Sequence, residues 1–325
     1  MVFTAHNEMQ IRDLALPELK AGDLSVRVDL AGICGSDLHA YRGHDPRRVP
    51  PMVLGHEFVG TVLNGPMAGK RITANPLVTC GKCRFCIAGR GNLCSNRSMI
   101  GMNLPGAFAQ QIAVPQQCAI ELPNGMKDVA AALTEPAATV VHALALSQRA
   151  LSQPLAHARC LVIGAGAIGL LTVLALRGHG VMDIEVVESN TLRAETLAQV
   201  THLRTRSAQE VEAGAFDLVI DAVGIAVTRD VAIAAVAAGG VVTHVGLGDW
   251  TSPLDWRALT LREITLVGCY TYTTVDLHTA VVALHKGFFG DLAWVQERPL
   301  SDGPTAFADL VAGHVASPKV MLRPA

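Results

Sequence analysis

The apolar residues 160–163 run directly into Gly164-Ala165-Gly166-Ala167-Ile168-Gly169, and that run opens an apolar helix pattern over 167–177. A strand, a glycine-rich turn and a helix in that order restrict the fold sharply. The glycines allow a tight turn and let the backbone come close to a pyrophosphate, which the positive end of the following helix attracts. With 30 glycines in the chain, one such run is weak evidence alone. Its context strengthens it. Strand patterns at 184–188, 217–222, 240–246 and 264–268 alternate with helix patterns at 191–200 and 228–238. Alternation of this kind predicts a parallel, doubly wound sheet in an α/β fold. The segment 200–217 is short for a full unit, so the third β/α unit should be trimmed. The second strand ends at Glu188, nineteen residues beyond Gly169. An acid there accepts hydrogen bonds from ribose hydroxyls and repels a 2′-phosphate, which favours NAD over NADP, with Arg193 close enough to offset part of its charge.

The first part of the chain has a different texture. Residues 23–30 alternate apolar and polar side chains, as a half-buried strand does, and shorter strands follow at 58–63, 71–74 and 108–114 between Gly, Pro and Asn turns. A helical composition begins at 137–150, another helical stretch covers 275–286, and 320–322 reads as a last strand. A chain of 325 residues suggests about two domains. Two apolar stretches, 160–176 and 231–248, approach membrane length, but each holds glycines and reads as a strand and helix joined by a turn. The N-terminal residues lack the pattern of a signal peptide, so a cytoplasmic, non-membrane protein is expected.

Eight cysteines are present, and four of them, Cys80, Cys83, Cys86 and Cys94, fall within fifteen residues. That spacing suits one tetrahedral zinc better than disulfide loops. A ferredoxin-type cluster would have three residues before a Cys-Pro; here seven residues precede Cys94, and Ser95 follows it. Four thiolates leave no open position, so this zinc would be structural. A second set is dispersed: Cys34 in Gly32-Ile33-Cys34-Gly35-Ser36-Asp37, His56 and Glu57 in Gly55-His56-Glu57, and Glu135 before Pro136. A thiolate, an imidazole and a carboxylate leave one coordination position for water or substrate, as a catalytic zinc requires.

These motifs, in this order and spacing, resemble the zinc-containing medium-chain dehydrogenase/reductase family over nearly the whole chain, down to Lys319–Arg323. Glu57 and Glu135 look most like the sorbitol (polyol) dehydrogenase branch. The resemblance implies a β-rich GroES-like catalytic domain over 1–136, rejoined by 273–325, and a Rossmann NAD-binding domain over 137–272. It implies a catalytic zinc on Cys34, His56 and Glu57, with Glu135 approaching the metal directly or through water, and a structural zinc on the four-cysteine lobe. Ser36 and His39 match the family's proton-relay positions. Gly164, Gly166, Ala167, Ile168, Gly169, Glu188 and Arg193 would hold NAD. The expected activity is hydride transfer from a secondary alcohol, polyol or sugar alcohol to NAD, giving the ketone, in a homodimer or homotetramer.

Two departures weigh against a sorbitol-like substrate. Polyol dehydrogenases often carry Phe-Arg-Tyr after the last Rossmann strand, where this chain has Tyr270-Thr271-Tyr272, and Ala40 follows His39 in place of an aromatic. A smaller secondary alcohol or diol, a different sugar alcohol, and an amino alcohol such as L-threonine all stay open; threonine dehydrogenases, the alternative within the family, share the Gly-His-Glu element but resemble this chain less around Glu135-Pro136. A non-enzymatic zinc-binding interaction protein is the alternative of another class, suggested by Lys82, Arg84, Arg90 and Arg97 around the cysteines. Binding of nucleic acid would want a basic face with interleaved aromatics. With a formal charge of −2 and 4% aromatic residues, none is expected.

Overall fold

The computed structural model describes all 325 residues. Six parallel strands form one sheet. Across the sheet they run Thr205–Arg206, Ile184–Val187, Cys160–Ile163, Phe216–Asp221, Val236–His244 and Thr265–Gly268, so chain order reverses at the strand that feeds the glycine turn. Alternate residues of these strands enter different cores. Val162, Val186, Leu218 and Val241 pack with the helices Thr134–Ala150, Ala167–Gly178 and Thr274–His285. Leu161, Val187, Val219 and Val242 pack on the opposite face with the helix Ala226–Ala235. Both faces are covered, as a parallel sheet requires. The third unit is trimmed as expected: after the helix Thr191–Thr201 its strand is only Thr205–Arg206.

Three boundaries differ clearly from the sequence reading. The helix expected over 228–238 covers Ala226–Ala235, and the strand expected from 240 begins at Val236. The alanine-rich 234–238 reads as helix on propensity, but Val236 pairs with Phe216, and the register then slips before Leu218 meets Val241. Gly239, at φ +74, takes up the slip. Likewise the strand expected from 108 starts at Gln111, because Ala107 and Phe108 hydrogen-bond to Gly55 and Leu54 instead. No helix is long and apolar enough to cross a membrane.

The second unit is a seven-stranded mixed sheet centred on the strand Asp23–Gly32, which pairs antiparallel with Glu57–Val62, Gln111–Pro115 and Lys319–Arg323. Its inward side chains, including Leu24, Val26 and Val28, are buried with Phe58, Phe108 and Phe307. The register matters most at one end. Gly32 faces Glu57 on one neighbour and Met321 on the other. Cys34, Glu57 and Lys319 are thereby gathered from three distant parts of the chain. Leu30, Val59 and Met321 also belong to the core of the parallel sheet's helices, so the apolar interior is continuous between the two sheets.

Candidate active site and metal centres

The ligand atoms of Cys34, His56 and Glu57 lie within 4.8 Å of one another. Cys34 leaves the strand Asp23–Gly32 and caps the helix Gly35–Tyr41, while Glu57 begins the neighbouring strand. His56 and Glu57 are 2% and 1% exposed. Glu57 Oε2 accepts from Lys319 Nζ at 2.5 Å, and the same ammonium donates to Ile33 O at 3.0 Å. Glu57 Oε1 is buried and has no partner. Such an orphaned carboxylate oxygen beside a thiol and an imidazole is what a metal would satisfy. A Cβ at Gly32 would collide with the Glu57 carboxylate, so the glycine keeps the space open.

Asp37 orients the trio. It is fully buried, accepts from Cys34 N at 3.1 Å, and sets Oδ1 3.4 Å from His56 Nδ1. At that distance and angle the pair is an electrostatic contact, and both atoms lack a hydrogen bond. With Nδ1 turned to a carboxylate, Nε2 is the nitrogen left for a metal. Burial opposes charge on Lys319, but Glu57 first and then Cys34 hold its pKa above the ordinary lysine value.

Glu135 stands outside the trio. It sits in the first turn of the helix Thr134–Ala150, 7% exposed, and its Oε1 accepts from Tyr272 Oη at 2.9 Å. Burial pushes its carboxyl up to about 7, with His56 pulling the other way and Glu57 adding to the rise. Ser36 and His39 both lie on the helix Gly35–Tyr41. Ser36 Oγ accepts from Arg48 Nη2 at 3.3 Å. His39 is half-buried, and burial, then the nearby His44 and Arg42, lower its pKa.

The four-cysteine lobe is compact. Sulfur separations are 3.5 Å for Cys83–Cys86 and Cys80–Cys94, and 3.9 Å for Cys80–Cys86. Zinc–sulfur bonds of about 2.3 Å place tetrahedral sulfurs about 3.8 Å apart, so the set fits zinc. Backbone N–H groups of Lys82 and Cys83 draw the Cys80 thiol down to about 6, favouring the thiolate that a metal needs.

At the glycine turn each glycine has its own reason. Gly164 has φ +99, and a Cβ there would sit 2.6 Å from Val223 Cγ2. A Cβ on Gly169 would collide with Gly164 O, so this glycine allows the helix to pack on the strand. A Cβ on Gly166 would meet no protein atom within 4 Å. That open face lies at the N-terminus of the twelve-residue helix Ala167–Gly178, which Ala167 and Ile168 begin, and suits a pyrophosphate. Glu188 folds back on the turn, accepting from Ala165 N and Asn190 N, both at 2.7 Å. Arg193 makes no ion pair with Glu188. Its backbone N–H caps onto Asn190, and its Nε is buried without a partner.

Asp37, Lys319, Arg48 and Tyr272 were not assigned roles by sequence reasoning. A signal existed for Lys319, a cation opening a closing strand whose next three residues are apolar.

Residues 20–124 match the alcohol dehydrogenase GroES-like domain, and residues 167–286 match the zinc-binding dehydrogenase family. The chain is 31% identical over 275 residues to an L-threonine 3-dehydrogenase of Deinococcus radiodurans, covering 78% of this chain and 77% of that protein. Among solved structures it resembles alcohol dehydrogenase TADH from Thermus sp. ATN1 (TM-score 0.89, 27% identity, covering 99% and 98% of the two chains). It also resembles acetophenone reductase from Geotrichum candidum in complex with NAD (TM-score 0.87, 26% identity, 99% and 96%). Family matches on both sheets, a similar relative over most of the length and two donor sets suited to zinc agree, and the chain belongs to the zinc-containing medium-chain dehydrogenase/reductase family.

Proposed function

We propose that this protein oxidises the secondary alcohol of a hydroxy amino acid, L-threonine in the first instance, using NAD and a zinc ion held by Cys34, His56 and Glu57. The unpartnered, buried Glu57 Oε1 beside Cys34 and His56 is the observation that carries the reading. Bound there, zinc would supply Lewis acidity toward the alcohol oxygen, and NAD the hydride acceptor. The residues of the chain do the rest. Lys319 offsets the charge that Glu57 brings into the interior, and Asp37 fixes the His56 ring. Ser36, with a hydroxyl oxygen already accepting from Arg48, has its own proton to pass on, and His39 offers a half-buried imidazole on the same helix face three residues later. Glu135 stands outside the trio and takes the Tyr272 hydroxyl as its partner.

An amino alcohol displaces the polyol reading for two reasons. The relative with 31% identity is a threonine dehydrogenase. The positions at which polyol enzymes often hold substrate carry Thr271 and Ala40 here.

The test is NADH formation with L-threonine, 2,3-butanediol and sorbitol, before and after treatment with a chelator. Chelator-sensitive turnover of L-threonine alone is expected. Turnover of sorbitol in preference would restore the polyol reading, and turnover unaffected by complete zinc removal would overturn the mechanism.

A further inference from the structure

Three chain segments meet near the trio, and together they carry more positive charge than negative. Arg48, its side chain 1% exposed, donates from Nη1 to Ser36 O at 3.2 Å and Asp45 Oδ2 at 2.9 Å. Its Nη2 reaches Ser36 Oγ, and its Nε reaches Gly101 O at 3.3 Å. Arg48 thus ties the 45–48 segment to the helix that follows Cys34 and to the stretch leaving the cysteine lobe. Arg47 grips the same carboxylate, donating from Nε to Asp45 Oδ1 at 2.8 Å and from Nη2 to Asp45 Oδ2 at 2.9 Å.

The stretch that leaves the lobe carries Arg97. Its guanidinium carbon lies 4.8 Å from the centre of the Tyr270 ring. Nε donates to Tyr270 Oη at 3.2 Å, and Nη1 donates to Cys94 O at 2.6 Å. Asn92 Nδ2 holds the Tyr270 carbonyl at 3.0 Å from the same lobe. Two residues on, Tyr272 is bonded to Glu135 beside the trio.

The charges do not balance. Arg47 and Arg48 share the carboxylate of Asp45, Arg48 also acts on the buried Asp37, and Arg97 has no ion pair, so three guanidinium groups face two acids. An exposed arginine is usually just solvated. Arg97 differs because two of its nitrogens are already fixed, one on a backbone carbonyl and one on a phenol, which leaves Nη2 presented in a set direction. A guanidinium ordered in advance, its planar fork held at Nε and Nη1, presents Nη2 to a carboxylate oxygen.

We propose that Arg97 receives the carboxylate of a hydroxy-acid substrate on the Tyr270 side of the site. The enzyme then selects carboxylate-bearing alcohols over neutral ones. The inference rests on the alcohol-oxidising reading above and adds the acid as a requirement. The carboxylate can belong to a hydroxy amino acid or to a sugar acid.

The experiment compares KM and kcat of the zinc-loaded enzyme for two pairs, L-threonine with 1-amino-2-propanol and gluconate with sorbitol, where the neutral partner is the one that lacks the carboxylate. In the wild type, one acid should have a KM well below that of its neutral partner, and the pair that shows this names the source of the carboxylate. Arg97→Gln should raise the ratio of acid KM to neutral KM about ten- to a hundredfold, the range expected for losing a charge-assisted hydrogen bond. Most of that change should fall on KM and little on kcat. Arg97→Lys should recover part of it, since the charge returns without the fork. Equal KM values for acid and neutral partners in the wild type would overturn the proposal. So would an Arg97→Gln effect that falls alike on both partners, which marks a structural strut, or that falls on the KM for NAD, which marks a cofactor contact. Should no alcohol be oxidised, the function reading fails by itself, and calorimetric titration of L-threonine and gluconate decides this one: binding weakened by Arg97→Gln supports it, and no binding to the wild type overturns it.

Discussion

Lys319 Nζ donates to Glu57 Oε2 at 2.5 Å, with the two side chains 2% and 1% exposed. The last strand of the chain therefore supports a member of the Cys34, His56 and Glu57 cluster 262 positions earlier. Removing one member of a buried pair strands the other charge, at a cost of about 3–5 kcal/mol. Lys319→Met should lower Tm and make it depend more steeply on zinc, because the metal becomes the only partner left to Glu57. Melting curves with and without chelator, alongside zinc content per chain, check this. A variant as stable as the wild type in chelator would show that the pair does not hold Glu57.

The cysteine lobe should respond differently. Its sulfurs lie 3.5–3.9 Å apart around a closed set, and a metal bound only by the folded lobe adds to folding stability. Cys83→Ala is expected to remove one zinc per chain and lower Tm, and to loosen the Tyr270 loop that Asn92 and Arg97 hold. Differential scanning calorimetry with metal analysis reads both effects. An unchanged Tm with one zinc fewer would deny the lobe a structural role.

Much of this was legible in the sequence because it is written locally. The glycine turn, the cysteine spacing and the period-2 pattern of residues 23–30 each depend on neighbours within fifteen residues. What escaped depends on register. Lys319 reads as an ordinary charge at a strand start until the pairing of Gly32 with both Glu57 and Met321 brings it to the metal site. Asp37 lay inside a recognised motif, but its contact with His56 exists only once two strands are side by side. Tyr270-Thr271-Tyr272 looked deprived of a cation, and Arg97 supplies one from another part of the chain. Alanines 234, 235, 237 and 238 misled the helix boundary because pairing of Val236 with Phe216 outweighed their propensity.

The three glycines of the turn should separate on substitution. Gly169→Ala forces a collision with Gly164 O, so it should destabilise the fold with or without cofactor. Gly166→Ala meets no protein atom within 4 Å and should leave Tm of the cofactor-free protein near wild type. The added methyl instead occupies the face offered to the pyrophosphate, and NAD affinity should fall about tenfold or more. Thermal denaturation and fluorescence titration with NADH distinguish the two. Equal NADH affinity in Gly166→Ala and wild type would place the cofactor elsewhere.

Asp276 gives a prediction in pH. It accepts from Thr273 N at 2.9 Å and Thr273 Oγ1 at 2.6 Å, and its Oδ2 lies 2.8 Å from His142 Nδ1 on the helix Thr134–Ala150. Burial alone would raise its pKa, but His142 first and Thr273 next hold it below the ordinary 3.8. A carboxyl whose folded pKa lies below its unfolded value stabilises the fold above the unfolded value, and that contribution disappears as pH falls through the folded value. Asp276→Asn should therefore cost about 1–2 kcal/mol at neutral pH, discounted for partial exposure. The gap between variant and wild type should stay constant down to about pH 4 and close below it. Urea unfolding at a series of pH values measures the gap directly. A gap that widened on acidification would mean that the ionised carboxylate is not the stabilising form. Asp276 caps the helix that begins two residues after Tyr272, so the same variant tests whether that cap steadies the Tyr272–Glu135 hydrogen bond.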